Sequence, residues 1–598
     1  MSSARHTPVA VAAAFFLLFG AFAVFLGQDA GWDTLNYHVY NPYAFLTDRI
    51  NIDLAPAQLQ SYFSPVIDLP VYWLTQHVRP WLAGFWVGGF QGLNAFLVFL
   101  LARLLLSTSN TVPLWTPLWL ASLGCLNASF VAQLGTATGD SSSSVFVLLG
   151  LYLACLWQQE MTQLLAPSHR WTVWIGLLMG LAVGLKLTNA PFGLAMALVV
   201  VLLPTSPADK MRQLLLYGLS ALGSFALVSG WWFYQVWIKF GNPLFPQFNG
   251  FFKSDLATAT SVVDTRWGPV NTPEALAWPF WMSLRPWRIH DGLLYDHLWV
   301  LTYPVLLIWL ASCLWRRRQG LAKTLSPALL VLVFVGVSYV IWLKLFSIGR
   351  YMTVVEMLLP LLLLLGLKSI IWHKPALIIA FMLSFLSLFL SLKHSNFGMR
   401  AAWAEQSYSV KVPAIQDPAS ATILIAADGE PISWLLPHFP SQTAVLRISG
   451  NFPRSSAYDN LVHQTVTARA GKVYTIIPTE VDWTTTRAAQ LNAQLAASRL
   501  GHLPMVCGLL GYVTGAMDRY RGIGVRLASD GICRAHVDKM EATLPQHPID
   551  YLSQSTQELT DMGYRLVPTT CHSYPAFVGR LSHPYQFCDV VEIGIGPL

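Results

Sequence analysis

Charged residues are scarce in this chain of 598 residues: Asp, Glu, Lys and Arg make up 11%, whereas 54% of the residues are hydrophobic. Soluble domains ordinarily carry about 25% charged residues, so the composition argues against a soluble globular protein. Common catalytic signatures are missing as well, namely GxxxxGK(S/T), GxGxxG, HExxH, CxxC and GxSxG. Nucleotide hydrolysis, dinucleotide redox chemistry, and metal or serine hydrolysis of the usual kinds therefore lose their simplest support.

Long apolar runs are what the sequence has instead. Windows of about 18–25 residues recur as far as about residue 393 and predict membrane-spanning helices. We expect about eleven spans, with boundaries good to a few residues, near residues 8–27, 81–104, 114–135, 142–157, 171–186, 189–203, 214–238, 296–314, 326–345, 353–371 and 375–392. The first run lacks a small-residue cleavage site and continues into an acidic, aromatic segment, so we interpret it as a retained anchor.

Basic residues occupy the short connections on one side of these spans. They are Arg5, Arg170, Lys210, Arg212, Arg316, Arg317, Arg318, Lys323, Lys368 and Lys374. The positive-inside rule makes that side, and the N-terminus, cytoplasmic. An odd number of spans then places the segment after the first span, the loop 239–295 and everything after 393 outside. The parity depends on the short spans flanking residue 187, because one tilted helix there would reverse all downstream sides.

The chain changes character after the last span. Strand-like segments such as ATILIAADG and GKVYTIIP alternate with helical windows such as RAAQLNAQLAASRLG. We therefore expect a transmembrane domain over residues 1–393 and an extracytoplasmic α/β domain with a partly parallel sheet over 394–598. Four of the seven cysteines lie in this tail and predict two disulfides, with three connectivities open. They are Cys507, Cys533, Cys571 and Cys588.

Four charged side chains stand at the predicted outer ends of spans. Asp33 and Asp140 could each simply begin a helix, or could offer a carboxylate to a site. Lys186 interrupts an apolar stretch, where a lysine at the bilayer centre would cost about 3 kcal/mol, so it must snorkel, pair or face a wet cavity. Arg350 could anchor at the lipid headgroups or clamp a phosphate. Collected on one side, the four suit a substrate with a phosphate and a long apolar tail.

Six short segments carry a family resemblance. They are WDTLNYHVYNPYAFL, GDSSSSVF, GLAVGLKLTNAP, GNPLFPQFN, GRYMTVVEMLLP and, in the tail, DGEPISWLLPHFP. Through them the chain resembles the GT-C superfamily of polyprenol-phosphate-sugar-dependent glycosyltransferases, especially bacterial relatives of the dolichyl-phosphate-mannose protein mannosyltransferases. The resemblance covers most of the membrane part and the first third of the tail. It implies a GT-C-like helical bundle with a C-terminal extracytoplasmic domain.

The resemblance also implies roles for individual residues. Asp33 would be the catalytic base, Asp140 a second acidic residue, and Lys186 with Arg350 would hold the donor phosphate. Other residues of these segments would line the substrate pocket, namely Tyr37, His38, Thr188, Asn189, Asn242 and Tyr351. The chain departs from the better-studied mannosyltransferases in lacking their Asp-Glu pair, because Thr34 follows Asp33. That departure leaves the acceptor class open.

The function implied is an inverting hexosyl- or pentosyltransferase in the cytoplasmic (inner) membrane. It would move a sugar from a polyprenyl-phosphate donor to a cell-envelope acceptor, such as a glycan or lipid-glycan, on the outer side. No cofactor is expected to be required and no nucleic acid is expected as a partner, while a divalent ion bridging Asp33 or Asp140 to the donor is left open. The alternative is a transporter or flippase for a lipid-linked or small polar solute, which would favour paired repeats and a site at the membrane midplane. A third option is a sensor or assembly scaffold.

Overall fold

The computed structural model describes residues 3–106, 113–164, 169–260, 264, 266–290, 292–319, 326–479, 483–498, 500–516, 523–537 and 550–593. The helices up to residue 394 are α1 Ser3–Leu26, α2 Tyr40–Leu46, α3 Leu69–His77, α4 Pro80–Leu106, α5 Trp115–Gly124, α6 Ala128–Gln133, α7 Asp140–Leu164, α8 His169–Leu185, α9 Ala190–Leu202, α10 Pro207–Phe225, α11 Trp231–Phe240, α12 Asn249–Phe252, α13 Thr272–Leu284, α14 Leu298–Arg318, α15 Pro327–Leu345, α16 Thr353–Ile370 and α17 His373–His394. The chain is thus a polytopic helical membrane protein in this part.

Eight stretches among the described residues are long and apolar enough to cross a membrane. They are Pro8–Leu26, Pro80–Leu106, Asp140–Glu160, Pro207–Phe240, Leu298–Arg318, Pro327–Leu345, Gly349–Ile370 and His373–His394. The other three expected spans are helical but shorter. The stretch 114–135 is divided into α5 and α6 at Asn127, whose side chain accepts the N–H of Phe130 (2.9 Å) and so begins a new helix. Helices α8 and α9 have 17 and 13 residues.

The turn between α8 and α9 bears on the parity of the spans. Helices α8 and α10 pack closely, and their contacts advance together along the chain, at Gly176–Ser220, Gly180–Ala221 and Gly184–Val228. The two helices therefore run in the same direction, so α9 must run back between them. A 3-10 turn over Leu187–Asn189 makes the reversal. The stretches flanking residue 187 are consequently two helices rather than one tilted helix.

The tail contains a mixed sheet flanked by helices. Its helices are α18 Ser456–Arg469, α19 Trp483–Ser498, α20 Pro504–Ala516 and α21 Tyr551–Asp561. The strands of the chain are β1 Gln28–Asp29, β2 Arg400–Ala401, β3 Tyr408–Val410, β4 Thr422–Ile425, β5 Ala444–Arg447, β6 Val473–Pro478, β7 Ile523–Leu527, β8 Cys533–Val537, β9 Tyr564–Leu566, β10 His572–Tyr574, β11 Ala576–Val578, β12 Leu581–Ser582 and β13 Tyr585–Glu592. The main sheet has the order β10-β13-β6-β4-β5, in which β4 is parallel to β5 and β6 while β13 is antiparallel to β6. The partly parallel sheet expected from the sequence is therefore present.

The four tail cysteines form two disulfides in the structure. Cys507 bonds to Cys533, which joins α20 to β8. Cys571 bonds to Cys588 of strand β13. Of the three connectivities that the sequence leaves open, the structure has this one.

The tail packs on the segment that follows α1. Strands β1 and β2 pair antiparallel, and Leu54 forms a parallel bridge with Leu446 at the sheet edge. Arg49, paired with Asp53, donates to the carbonyls of Ser441 and Thr443. The tail therefore covers the end of the bundle where α1 terminates. The predicted site residue Asp33 lies at this end, beneath the tail.

Candidate active site

Asp33 begins a tight, buried turn rather than a regular helix. Residues Thr34–His38 form a π-helical turn, all of them buried. A π turn hydrogen-bonds residues five apart, so Asp33 and His38 lie on adjacent turns of one face, and such turns are frequent at functional sites. The Tyr37 side chain hydrogen-bonds the Asp33 carboxylate. This turn holds Asp33, Tyr37 and His38 together.

Arg350 pairs with Asp33. It lies in the 3-10 turn Gly349–Met352 that precedes α16, and its Nη1 is 2.7 Å from Asp33 Oδ2. The two side chains are 24% and 13% exposed, so the pair is partly accessible. Burial favours the protonated acid at Asp33, but Arg350, His38 and Lys186, with the Tyr37 hydrogen bond, hold its pKa below the usual value. Asp33 is therefore an ionised carboxylate at neutral pH.

Asp140 and Lys186 form a second pair. Asp140 begins α7, and its Oδ2 is 2.8 Å from Lys186 Nζ. Thr188 Oγ1 donates to Asp140 Oδ1 at 3.3 Å, and Lys186 also donates to the carbonyl of Thr138. The sequence left three alternatives for Lys186, namely snorkelling, pairing or facing a wet cavity. The structure shows pairing, with Asp140 as the partner.

The two ion pairs belong to one cluster. The ring of Tyr351 has Arg350 Cζ at 5.4 Å and Lys186 Nζ at 6.0 Å from its centroid. Asp29 joins the two acidic segments, because its Oδ2 accepts the Thr34 hydroxyl and the N–H of Ala137 (3.4 Å). The structure thus brings the four predicted charged residues and Tyr351 to the end of the bundle beneath the tail.

Two predicted pocket residues have other partners. Asn189 Nδ2 donates to Ser143 Oγ and to the carbonyl of Ala182, each at 2.9 Å. Asn242 is fully buried and bonds the carbonyl of Gln247 and the N–H of Leu244 within its own turn. Both side-chain amides stabilise the local structure around them through these hydrogen bonds. Thr188 therefore belongs to the charged cluster, whereas Asn189 and Asn242 do not.

Asp68 is a site residue that the sequence did not single out. Its Oδ1 is 2.6 Å from Nδ1 of His38, and both side chains are 2% exposed. In the segment VIDLP an Asp before an apolar helix is typical of a helix cap, yet Asp68 makes no capping hydrogen bond to α3. Burial raises the pKa of Asp68, and the interaction with His38 only partly offsets that rise. Sequence offers no signal that joins these two residues.

Metal-binding capacity is limited in this cluster. Within the part of the chain that the structure describes, no group of three or more His, Cys, Asp and Glu side chains is placed to hold a metal ion. Asp33 and Asp140 each have a cationic side chain as partner. A divalent ion bridging either carboxylate to a substrate would have to compete with Arg350 or Lys186.

Glu356, from the same segment as Arg350, lies elsewhere. It shares a small cavity with Asp296, lined also by the hydroxyls of Ser384, Ser387 and Ser391. Neither carboxylate is paired with Lys, Arg or His among the described residues. Burial raises the pKa of Asp296, despite hydrogen bonds to its carboxylate. Ionisation of Asp296 therefore costs stability.

We expect Asp296→Asn to stabilise the protein, and to do so more at pH 8 than at pH 5. Because the folded-state pKa is raised, the wild type loses stability as pH rises from the ordinary carboxylate pKa through the folded value, whereas the amide does not titrate. The gain at pH 8 should be about 1–3 kcal/mol. Thermal unfolding of the detergent-solubilised protein at both pH values measures it, with exposed Asp561→Asn as control. A gain that is the same at both pH values would contradict the assignment.

No protein-family model matches the sequence, and no curated protein matches it. The solved structures that match include two of ArnT from Cupriavidus metallidurans. The form bound to undecaprenyl phosphate shares 18% identity with this chain at a TM-score of 0.38, over 64% of this chain and 63% of that one. The apo form shares 13% identity at a TM-score of 0.41, over 79% and 93%. The match thus spans less than two thirds of the bound ArnT chain.

Proposed function

We propose that the protein is an inverting glycosyltransferase of the GT-C kind. It takes a sugar from a polyprenyl-phosphate carrier, the class to which undecaprenyl phosphate belongs, and transfers it to a hydroxyl of a cell-envelope acceptor. The observation that supports this best is the charged cluster, in which two carboxylates and two cations meet at one end of an apolar helical bundle. Such a cluster can accept a proton and bind a phosphate whose lipid tail stays in the membrane.

The chemistry needs little beyond these groups. The leaving group is already a phosphate, so the site must remove a proton from the acceptor, align both substrates and stabilise phosphate charge. Asp33 is the proposed base. The planar guanidinium of Arg350 suits two phosphate oxygens, and the Lys186 ammonium adds a second positive charge. Direct displacement by the acceptor inverts the anomeric configuration.

Donor binding would itself activate the base. Arg350 keeps the pKa of Asp33 low in the free protein. An arriving phosphate competes for the same guanidinium and partly neutralises it, so the proton affinity of Asp33 rises once the donor is bound. The Asp33–Arg350 pair therefore ties proton removal to the presence of donor.

The site is proposed to face the outer side of the cytoplasmic membrane. The basic connections of the positive-inside argument lie at the opposite ends of the helices that carry the cluster. A periplasmic reporter enzyme fused at the C-terminus of the full chain should be active, and a reporter that works only in the cytoplasm should be inactive. The reverse result would place the site inside.

Transfer itself is tested with the purified protein in proteoliposomes. The probes are labelled undecaprenyl-phosphate sugars, both pyranosyl and furanosyl, with an envelope glycan extract as acceptor. We expect protein-dependent release of undecaprenyl phosphate and label in the glycan fraction. Movement of intact lipid across the bilayer without release would instead support the flippase alternative, although four charges at one end differ from the midplane site of such carriers.

Lys186→Ala is expected to raise the donor concentration needed for half-maximal rate by about 10–100-fold, the effect of losing a hydrogen bond to a charged group. The maximal rate should change less, because Lys186 is proposed to bind the donor in the ground state as well. A donor titration of the transfer rate measures both quantities, with exposed Lys411→Ala as control. An unchanged donor requirement would leave Lys186 as a structural partner of Asp140 only.

A further inference from the structure

His38 and Asp68 form a buried acid–imidazole pair behind the Asp33 turn. The carboxylate binds Nδ1 at 2.6 Å, which fixes the ring orientation and leaves Nε2 as the other functional atom. Nε2 is buried and has no hydrogen-bond partner in the part of the chain that is described. A buried polar atom without a partner is costly and calls for a purpose. Nε2 of His38 is therefore available to a proton or a polar group that the free protein does not contain.

The pair is electrostatically part of the Asp33 site. His38 acts on the charge of Asp33, and Asp68 responds to both Asp33 and Lys186. The Tyr37 and His38 rings lie 4.0 Å apart on the same turn. The charged and titratable groups that act on Asp33 and Asp68, the two acids that interact with His38, include Tyr37, Lys186 and Arg350.

We propose that His38, oriented by Asp68, receives the proton that Asp33 removes from the acceptor hydroxyl. This inference rests on the proposed function. The acceptor oxygen forms its bond to the anomeric carbon as the carbon–phosphate oxygen bond breaks, and that electron pair stays on the phosphate. The acceptor proton passes to the Asp33 carboxylate and then to Nε2, so that Nδ1–H of the imidazolium donates to Asp68. The released lipid phosphate, a monoester with a second pKa near 6, carries the proton away.

Charge balance explains why a relay is useful here. Arg350 and Lys186 disfavour a protonated Asp33 in the free protein, so the acid must give up the removed proton before the site returns to its starting state. A neutral imidazole can accept that proton at its free ring nitrogen. Proton uptake also changes the net charge of the buried His38–Asp68 pair from −1 to 0, which favours the protonated relay in a site of low polarity.

The test compares His38→Gln and Asp68→Asn with wild type in the undecaprenyl-phosphate sugar assay across pH 5–9. His38→Gln should lower the maximal rate about 100-fold or more, leave the donor requirement unchanged, and abolish the fall in rate on the acid side that the relay predicts for the wild type. Asp68→Asn keeps a hydrogen-bonding side chain beside Nδ1 and should shift that acid limb rather than remove it. His77→Gln, which changes an exposed histidine stacked on Trp73, is the matched control.

The outcomes separate this inference from the proposed function. A wild type that releases no undecaprenyl phosphate from any donor refutes the function itself. A wild type that is active while His38→Gln keeps its rate and its pH profile overturns the relay alone. If His38→Gln fails to fold by thermal unfolding, Asp68→Asn decides: an unchanged acid limb in that variant likewise overturns the relay.

Discussion

Asp33→Asn is expected to lower the rate of sugar transfer by about 10²–10⁴-fold, the usual contribution of a general base. Asparagine has the shape of aspartate but cannot accept a proton. It also removes the negative charge that pairs with Arg350, whose Nη1 is 2.7 Å from the carboxylate, so the donor phosphate no longer competes with that carboxylate for the guanidinium. We therefore expect the donor requirement to stay the same or fall while the maximal rate falls steeply.

The measurement is a donor titration at saturating acceptor, together with thermal unfolding to show that the variant is folded. Asp48→Asn is the matched control, because Asp48 is an exposed acid of the same segment whose partner is Asn51. Turnover at the wild-type rate in Asp33→Asn would remove Asp33 from the role of base. The relay through His38 would then lose its source as well.

Arg350→Ala is expected to have the second-largest effect. Truncating one partner of a buried charge pair costs about 2–5 kcal/mol, which corresponds to a loss of roughly 30-fold to several thousand-fold in kcat/KM for the donor. The loss has two causes. The donor phosphate loses its guanidinium, and Asp33 loses the charge that keeps it ionised in a buried position.

Arg350→Lys distinguishes these causes. A lysine restores the positive charge near Asp33 but not the planar pair of donors that fits a phosphate, so its donor requirement should remain raised while the pH dependence returns toward wild type. Arg266→Ala, at an exposed arginine paired with Asp264, should behave as wild type. A donor requirement that is unchanged in both Arg350 variants would exclude Arg350 from phosphate binding.

Much of the membrane part follows from local sequence. Apolar runs of sufficient length predict helices wherever they occur, since no other structure satisfies backbone hydrogen bonds in lipid. Local sequence does not predict the path of the chain where a polar residue interrupts an apolar run. Asn127 divides one expected span into α5 and α6, and the turn after Lys186 sends α9 back along α8. Run length alone cannot separate a bend from a reversal, because that depends on the packing of α8 against α10.

The sequence by itself determined the class of protein, the mixed sheet of the tail and the placement of Asp33, Asp140, Lys186 and Arg350 at span ends, because hydropathy and charge position are local properties. Only the tertiary structure decided which charges meet. Asp33 pairs with Arg350 rather than with Lys186, and His38 is bound by Asp68, an acid whose local sequence is that of an ordinary helix start. The physical reason is that the partner of a buried charge depends on which opposite charge lies nearest after the helices have packed. That distance cannot be read from the local sequence around residues that are far apart in the chain.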